Sequence, residues 1–336
     1  MSRVPGRTTL GGIAAEAGVS LATVSKVING RPDVSPATRR RIEQLLLERR
    51  YVPVGARRGP AGTLVDVVFP TLDSPWAVEI LRGVSETTAE YGVHTTVSTA
   101  PRDDDASWPH RLVAAGRAGV VVVAAALGDH RFEELAGSGV PLVVVDPPQL
   151  PRRDLASVGA TNWAGGRVAT QHLIALGHRR IATITGRPAL LCSRARLDGY
   201  RSALEEAGLP FDASLVREGT FRHDAGFTQA GVLLDLPDPP TAVVAGSDQQ
   251  AFGVIEAARV RGLRVPEDVS VVGFDDLPVA RWASPPLTTV RQPLADMGRM
   301  AARIVMQQAR GEDAVTTQVE LSTELIVRHS TAPPRP

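Results

Sequence analysis

The chain has 336 residues, 43% hydrophobic and 22% charged, with a formal net charge of +1. That is a globular composition, long enough for about two domains and a sizeable core, and it excludes a fibrous or disordered chain. One cysteine, Cys192, excludes an internal disulfide and a cysteine-based metal cluster. No apolar run reaches the ~18 residues of a membrane helix. No apolar signal core follows the start, so the expectation is a cytoplasmic protein with no membrane partner. Lys26 is the only lysine, against 36 arginines.

The charge is unevenly placed. The first 60 residues carry eleven basic side chains and four acidic ones, a balance of +7, so the remaining 276 residues carry −6. A basic head on a mildly acidic body fits a nucleic-acid module joined to something else, and equally a solvated basic surface. The decision rests on what the head folds into.

In the head, Leu10, Ile13, Ala14 and Ala17 recur at helical spacing, with Thr9 as a candidate N-cap. Gly18-Val19-Ser20 breaks the pattern. Gly18 suits a tight turn, and Ser20 can cap a second helix, Leu21 to Asn29, with Val24, Val27 and Ile28 facing inward. A third helix begins at Ser35-Pro36, with Ile42, Leu45, Leu46 and Tyr51 as its core face. Two short helices about a glycine turn, followed by a supporting helix, predict a helix-turn-helix.

Ile13-Ala14, Ala17 to Ser20, Thr23-Val24-Ser25, Val27, Asn29-Gly30, Val34-Ser35 and Thr38-Arg39 together resemble the N-terminal signature of the LacI/GalR family of transcription regulators. The resemblance implies that the second helix lies in the DNA major groove. It gives Leu21, Ala22 and Lys26 to base edges, and Ser20, Thr23, Ser25, Asn29, Ser35 and Thr38 to phosphates. Leu21 and Ala22 offer only apolar contact, as to a thymine methyl, whereas Lys26 can donate to guanine O6 and N7. The family commonly keeps arginine at that position. Lysine is a point charge without the planar fork, so Lys26 should discriminate its base less sharply. For Ser20, Thr23 and Ser35, helix capping is an alternative that can hold alongside phosphate contact.

The family usually continues into a short hinge helix whose leucine wedges into the minor groove. Here Tyr51-Val52-Pro53 fits, but Gly59 and Pro60 stand where serine and leucine are expected, and neither supports a helix. The expectation is a shortened or non-helical linker, with Arg57 and Arg58 against minor-groove phosphates or A·T edges. A plain flexible linker is the alternative.

From Leu64 the pattern alternates. Strand-like runs fall at 64–69, 95–97, 120–124, 142–145, 181–184, 242–244 and 269–272. Helical stretches fall at 76–91, 167–175, 194–206, 223–234, 249–261 and 294–308. Alternation of this kind predicts parallel sheets with helices on both faces, here enough for two units, with ligand in a cleft at the C-terminal strand ends. There is no dinucleotide fingerprint, P-loop, nucleophile elbow or zinc-protease motif, and the seven histidines lack ligand spacing. No catalytic residue, metal or cofactor is expected.

The body carries further resemblance to the same family: Gly177 to Ile181, Ser247-Asp248-Gln249, Val265 to Asp276, and Pro286 to Val290. It implies a core similar to periplasmic sugar-binding proteins. The α/β chain then divides into a three-helix helix-turn-helix head (1–50), an atypical linker (51–62), a two-lobed core (63–331) and a tail (332–336). The N-lobe takes about 63–160 and 293–321, and the C-lobe about 161–292 and 322–331. Position by position, the resemblance gives Asp73, Trp76, Asp146, Arg194, Phe221, Ser247, Asp275 and Gln292 to the effector. A carboxylate and a guanidinium can each hold vicinal hydroxyls in two-pronged fashion, and an aromatic can stack on a sugar's C–H face. Trp76 has N-lobe core as its alternative, and Asn162 is expected to cap a helix.

The whole resembles a sugar-responsive, xylose-regulator-like subgroup from actinobacteria. It implies a nucleoid-associated homodimeric repressor, whose two heads read a pseudopalindromic operator and whose mono- or oligosaccharide effector controls DNA affinity. A purine or nucleoside effector and a phosphoprotein corepressor are alternatives within the class. A sugar-binding enzyme or receptor is the alternative outside it. No heptad run near the C-terminus suggests a coiled-coil tetramer.

Overall fold

The computed structural model describes residues 10–28, 33–49, 64–100, 108, 112, 115–124, 129–149, 155–312 and 318–335. The calls on Thr9, Asn29, Tyr51, Arg57, Arg58, Gly59 and Pro60 lie outside these residues, and with them the linker.

The head contains α1 (Leu10–Ala17), α2 (Leu21–Ile28) and α3 (Pro36–Glu48). Ile13, Ala14 and Ala17 of α1 meet Val24 and Val27 of α2 and Ile42 of α3 in one buried cluster, joined by Leu45 and Leu46. Gly18 turns the chain between α1 and α2 at φ +67°, where a side chain would be strained. A bidentate pair from Arg49 to Glu16, at 2.6 and 3.0 Å, fastens the end of α3 to α1.

The first sheet is built from β1 (Leu64–Phe69), β2 (His94–Thr99), β3 (Gly119–Val123), β4 (Leu142–Val145), β5 (Ala156–Ala160) and β11 (Gln318–Leu321). Its order is β11-β5-β4-β3-β1-β2, parallel throughout. Helices α4 (Pro75–Glu90), α5 (Asp129–Gly137) and α10 (Leu294–Ala309) accompany it. The second sheet contains β6 (Ile181–Thr185), β7 (Val216–Glu218), β8 (Ala242–Ala245), β9 (Ser270–Asp275), β10 (Thr288–Arg291) and β12 (Glu324–Ile326), in the order β12-β10-β9-β8-β6-β7. Only β12 runs antiparallel to its neighbour. Helices α6 (Asn162–Ala175), α7 (Leu191–Glu206), α8 (His223–Leu234) and α9 (Asp248–Val260) accompany it.

The valine runs explain the central strands. Val120 to Val123 and Leu142 to Val145 are buried throughout, as strands covered on both faces must be. The N-lobe core draws on both ends of the body. Val65, Val67 and Phe69 of β1 pack with Met297, Ala301 and Val305 of α10. Among the described residues the chain therefore passes between lobes three times, after β5, after β10 and between β11 and β12. Two of these passages are stitched together, with the Thr161 and Thr323 hydroxyls 3.0 Å apart and the Thr323 amide donating to Thr161 Oγ1 at 2.9 Å.

Several elements differ from the sequence expectation. Helices α6 and α7 begin at Asn162 and Leu191, each at least three residues earlier than the periodicity suggested. Elements β5, β7, β10, β11, β12 and α5 were not anticipated. Residues 332–335 do not trail as a tail. The Ala332 carbonyl accepts from Ser270 Oγ at 3.0 Å, and Arg335 pairs with Asp268.

Candidate functional site

The candidate functional residues fall in two regions: the exposed side of the head and the cleft at the strand ends.

On α2 the buried positions are Val24 and Val27, while Leu21, Ala22, Ser25 and Lys26 are exposed. Leu21, at 55% exposure, is a large apolar side chain presented to solvent at the helix start. Ser20 Oγ accepts from the Thr23 amide at 3.1 Å, and Ser35 Oγ accepts from the Thr38 amide at 3.2 Å. Both serines therefore cap helices, which puts two positive helix N-termini, α2 and α3, in the head. Lys26 Nζ lies 2.6 Å from Asp33, and both side chains are about half exposed.

The cleft centres on Arg196. Its Nε donates to Asn162 Oδ1 at 2.8 Å, and Nη1 donates to the Gly246 carbonyl. The guanidinium lies 3.7 Å from the Phe274 ring centroid and 5.3 Å from that of Phe221. Such stacking on two rings suits the flat, weakly hydrated arginine head. Arg194, the sequence candidate, instead donates to the carbonyls of Pro188 and Ala189 at 2.8 and 3.0 Å. The arginine of Ser193-Arg194-Ala195-Arg196 that reaches the cleft is thus the second one. Residues Cys192, Ser193, Arg196, Gly199, Tyr200 and Ala203 form the buried stripe of α7, and Arg194 falls outside it.

Three aspartates end strands with backbones in the left-handed region: Asp146 at φ +50° after β4, Asp275 at +122° in β9 and Asp276 at +55°. Such backbones cost of order 1–3 kcal/mol each and cluster where function requires them. Asp276 is buried as an anchor, taking Arg291 Nε at 2.8 Å and Arg328 Nη2 at 2.5 Å. Asp275 accepts from Gln292 Nε2 at 2.6 Å. Burial pushes its carboxyl up to about 7, against the opposing pull of Arg196 and Gln292. Burial also raises Asp146, and Arg196 opposes that shift. Among the described residues no ion pair closes between Arg196 and either carboxylate, although the guanidinium pulls against the burial shift of both. Gln292 Oε1 is buried with no hydrogen-bond partner. Burial drives the neighbouring Cys192 thiol up to about 12, which keeps it protonated at neutral pH.

The other candidates fall on different tasks. Ser247 caps α9, accepting from the Gln250 amide at 3.1 Å, and donates to the Phe221 carbonyl at 2.8 Å. Phe221 and Arg196 line one small cavity together with Gly186 and Gly246, which pack against the Phe221 ring. Trp76 is half-buried and packs against the N-lobe core. Asp73 accepts from Thr71 Oγ1 at 2.7 Å and from Arg222 of the other lobe. Asn162 is not a cap, because Thr161 holds that position. Asn162 supports Arg196 instead. Among the described residues no group of His, Cys, Asp and Glu is placed to hold a metal, and no helix is long and apolar enough to cross a membrane.

Comparison with known proteins fits this arrangement. Residues 9–54 match the family described as "Bacterial regulatory proteins, lacI family", and residues 170–331 match the "Periplasmic binding protein-like domain". The chain is 34% identical to the HTH-type transcriptional regulator DegA of Bacillus subtilis (strain 168), over 97% of this chain and 99% of that protein. It is 37% identical to the HTH-type transcriptional regulator CelR of Thermobifida fusca, over 96% and 98%. This chain belongs to the LacI family of bacterial regulatory proteins. Its helix-turn-helix head and two-lobed body make it a DNA-binding transcription regulator. Among solved structures, a CelR–cellobiose complex superposes with a TM-score of 0.75 at 38% identity, covering 96% of this chain and all of that one. A lac repressor dimer bound to operator and the anti-inducer ONPF gives 0.71 at 30% identity, covering 97% and 100%.

Proposed function

We propose that this LacI-family chain is a repressor whose operator affinity is set by a neutral sugar held between its lobes. The observation that carries the effector class is the buried set around Arg196. A guanidinium fixed by Asn162 and two aromatic rings faces two carboxylates at strand ends, Asp275 and Asp146. Opposed charges that form no ion pair with each other suit hydroxyl groups. These can donate to the carboxylates and accept from the guanidinium while adding no net charge. Gln292 lends its free Oε1, and Phe221 offers a ring. The cellobiose of the CelR relative supports a mono- or oligosaccharide effector.

On DNA, the exposed Leu21, Ala22 and Lys26 of α2 enter the major groove. The capped starts of α2 and α3 meet phosphates through Ser20, Thr23, Ser25, Ser35 and Thr38. An eight-residue recognition helix is about 12 Å long and covers one half-site. A homodimer therefore reads a pseudopalindrome. Sugar shifts the balance between lobe arrangements, and coupling runs equally both ways between sugar and operator.

The test is fluorescence anisotropy on operator DNA with cellobiose, xylobiose, xylose and glucose, run beside thermal melts of the free protein. One sugar should raise the melting temperature and change operator affinity together. Operator binding indifferent to every sugar, with no melting shift, overturns the effector assignment and leaves the DNA-binding role standing.

A further inference from the structure

We propose that Asp73 and Arg222 form a clasp across the mouth of the cleft, with Arg222 acting as a positioning residue that holds the lobes together before any effector arrives. The inference rests on taking the two lobes as the effector-responsive unit. It gives that unit a closing contact made by the chain itself.

Topology locates the clasp. The passages between lobes leave from β5, β10 and β11 and enter β12, which lie at one edge of the two sheets. Asp73 follows β1, fifth in the first sheet's order, and Arg222 follows β7, last in the second. The pair therefore spans the lobes at the edge opposite the crossovers. Rotation about the crossovers moves that edge furthest, so a contact there restrains opening with the longest lever.

Local geometry prepares both partners. Thr71 Oγ1 donates to Asp73 Oδ1 at 2.7 Å and leaves Oδ2 for Arg222 Nη1. Arg222 directly follows Phe221, whose carbonyl is held by Ser247 Oγ at 2.8 Å. Beside the clasp, Gln249 Nε2 donates to Ser74 Oγ at 3.4 Å, a second link from the same N-lobe loop to the C-lobe. Arg222 thus ties the loop before α4 to the backbone that carries the cleft aromatic. Anything that opens the cleft must part this pair.

Magnitude sets what the clasp does. Its side chains are 56% and 50% exposed, so the pair is screened by water and salt. An exposed pair of this kind biases an open–closed equilibrium by on the order of two- to five-fold. That tunes a response without locking it.

The 336-residue chain tests this without any sugar. Glu90→Cys and Val232→Cys place one spin label in each lobe, with labelled chain diluted into unlabelled chain so that each assembly carries one pair. Asp73→Asn and Arg222→Gln should each move the inter-lobe distance distribution toward longer separations, as should 1 M NaCl on the unmodified pair. The swap Asp73→Arg with Arg222→Asp should restore the original distribution. Arg201→Gln, which removes the exposed Arg201–Asp198 pair within one lobe, serves as control and should leave it unchanged. Single variants that match the unmodified protein, or a swap that restores nothing, overturn the clasp. Neither result bears on whether a sugar binds, which the melting screen decides alone.

Discussion

Gln292 donates its side-chain amide to the Asp275 carboxylate at 2.6 Å, tying the end of β9 to the passage from β10 into α10. A buried carboxyl of the cleft is thereby fastened to one of the three connections between lobes. Burial pushes that carboxyl to about 7, from an ordinary value of 3.8. Between those values the folded chain keeps a proton that the unfolded chain has lost. The contribution of Asp275 to stability must therefore fall as pH rises through this window and level off above about 7. Asp146 and Asp248 are raised by burial too and act in the same direction. Asp275→Asn removes one contributor. Its melting temperature relative to the unmodified protein should improve from pH 5 to pH 8. A difference that stays constant across that range contradicts the elevated carboxyl.

The two arginines of the Ser193 to Arg196 segment should separate cleanly by substitution. Arg196→Ala strips the partners from Asn162 Oδ1 and the Gly246 carbonyl and leaves two raised carboxylates without their counter-charge. It should cost about 2–4 kcal/mol in stability and abolish the sugar-induced melting shift. Arg194→Ala loses only bonds to two carbonyls at the exposed start of α7, and should stay within about 0.5 kcal/mol with effector response intact. Chemical denaturation and sugar-dependent melts on both variants measure this. Equal losses would remove Arg196 from its central position.

That contrast shows what the sequence made legible. Long-range pattern did well where apolar runs are dense, as in Val120 to Val123 and Leu142 to Val145. In the head, periodicity alone placed Ile13, Val24 and Ile42 in one core. Strands of mixed or polar character escaped. Ala156 to Ala160 contains serine and glycine, and Thr288 and Thr289 are buried residues whose hydroxyls find their partners, the Arg328 amide and Asp248, in distant chain. Arg196 was recoverable, because it shares a helical stripe with Cys192, Gly199 and Ala203 once the helix starts at Leu191. Starting the helix at Arg194 hid that stripe. The Asp73–Arg222 contact had no local signal, since 149 residues separate its partners.

Helices α6 and α7 meet at glycines, and the fit around Arg196 depends on it. A Cβ built on Gly166 would lie 2.2 Å from the Arg196 carbonyl oxygen, and one on Gly199 would lie 2.1 Å from that of Trp163. These contacts are to backbone, so one helix has to shift. Gly166→Ala should therefore destabilise by about 1–3 kcal/mol and also weaken sugar binding by displacing Arg196, although the new methyl touches no ligand position. Denaturant melts and sugar titrations check the pair of effects. A stability loss with unaltered sugar affinity would mean that the cleft tolerates movement of α7.

The lone lysine offers the sharpest test of the head. Lys26 Nζ is held by Asp33 at 2.6 Å, yet both partners are about half exposed, so the pair is worth under about 1 kcal/mol and yields readily to DNA. Asp33→Asn removes a negative charge beside the proposed recognition helix α2 and leaves Lys26 without this partner. Affinity for unrelated DNA should rise, by on the order of a few-fold at low salt, and the gain should shrink as salt screens it. Lys26→Arg should act on specificity instead. Arginine presents a planar two-pronged donor to guanine O6 and N7, so preference for guanine at one operator position should sharpen while the other positions stay as they were. Selection from a randomised operator library, read by sequencing, measures both variants side by side. If Lys26→Arg leaves every position unchanged, the proposed base contact of Lys26 is wrong.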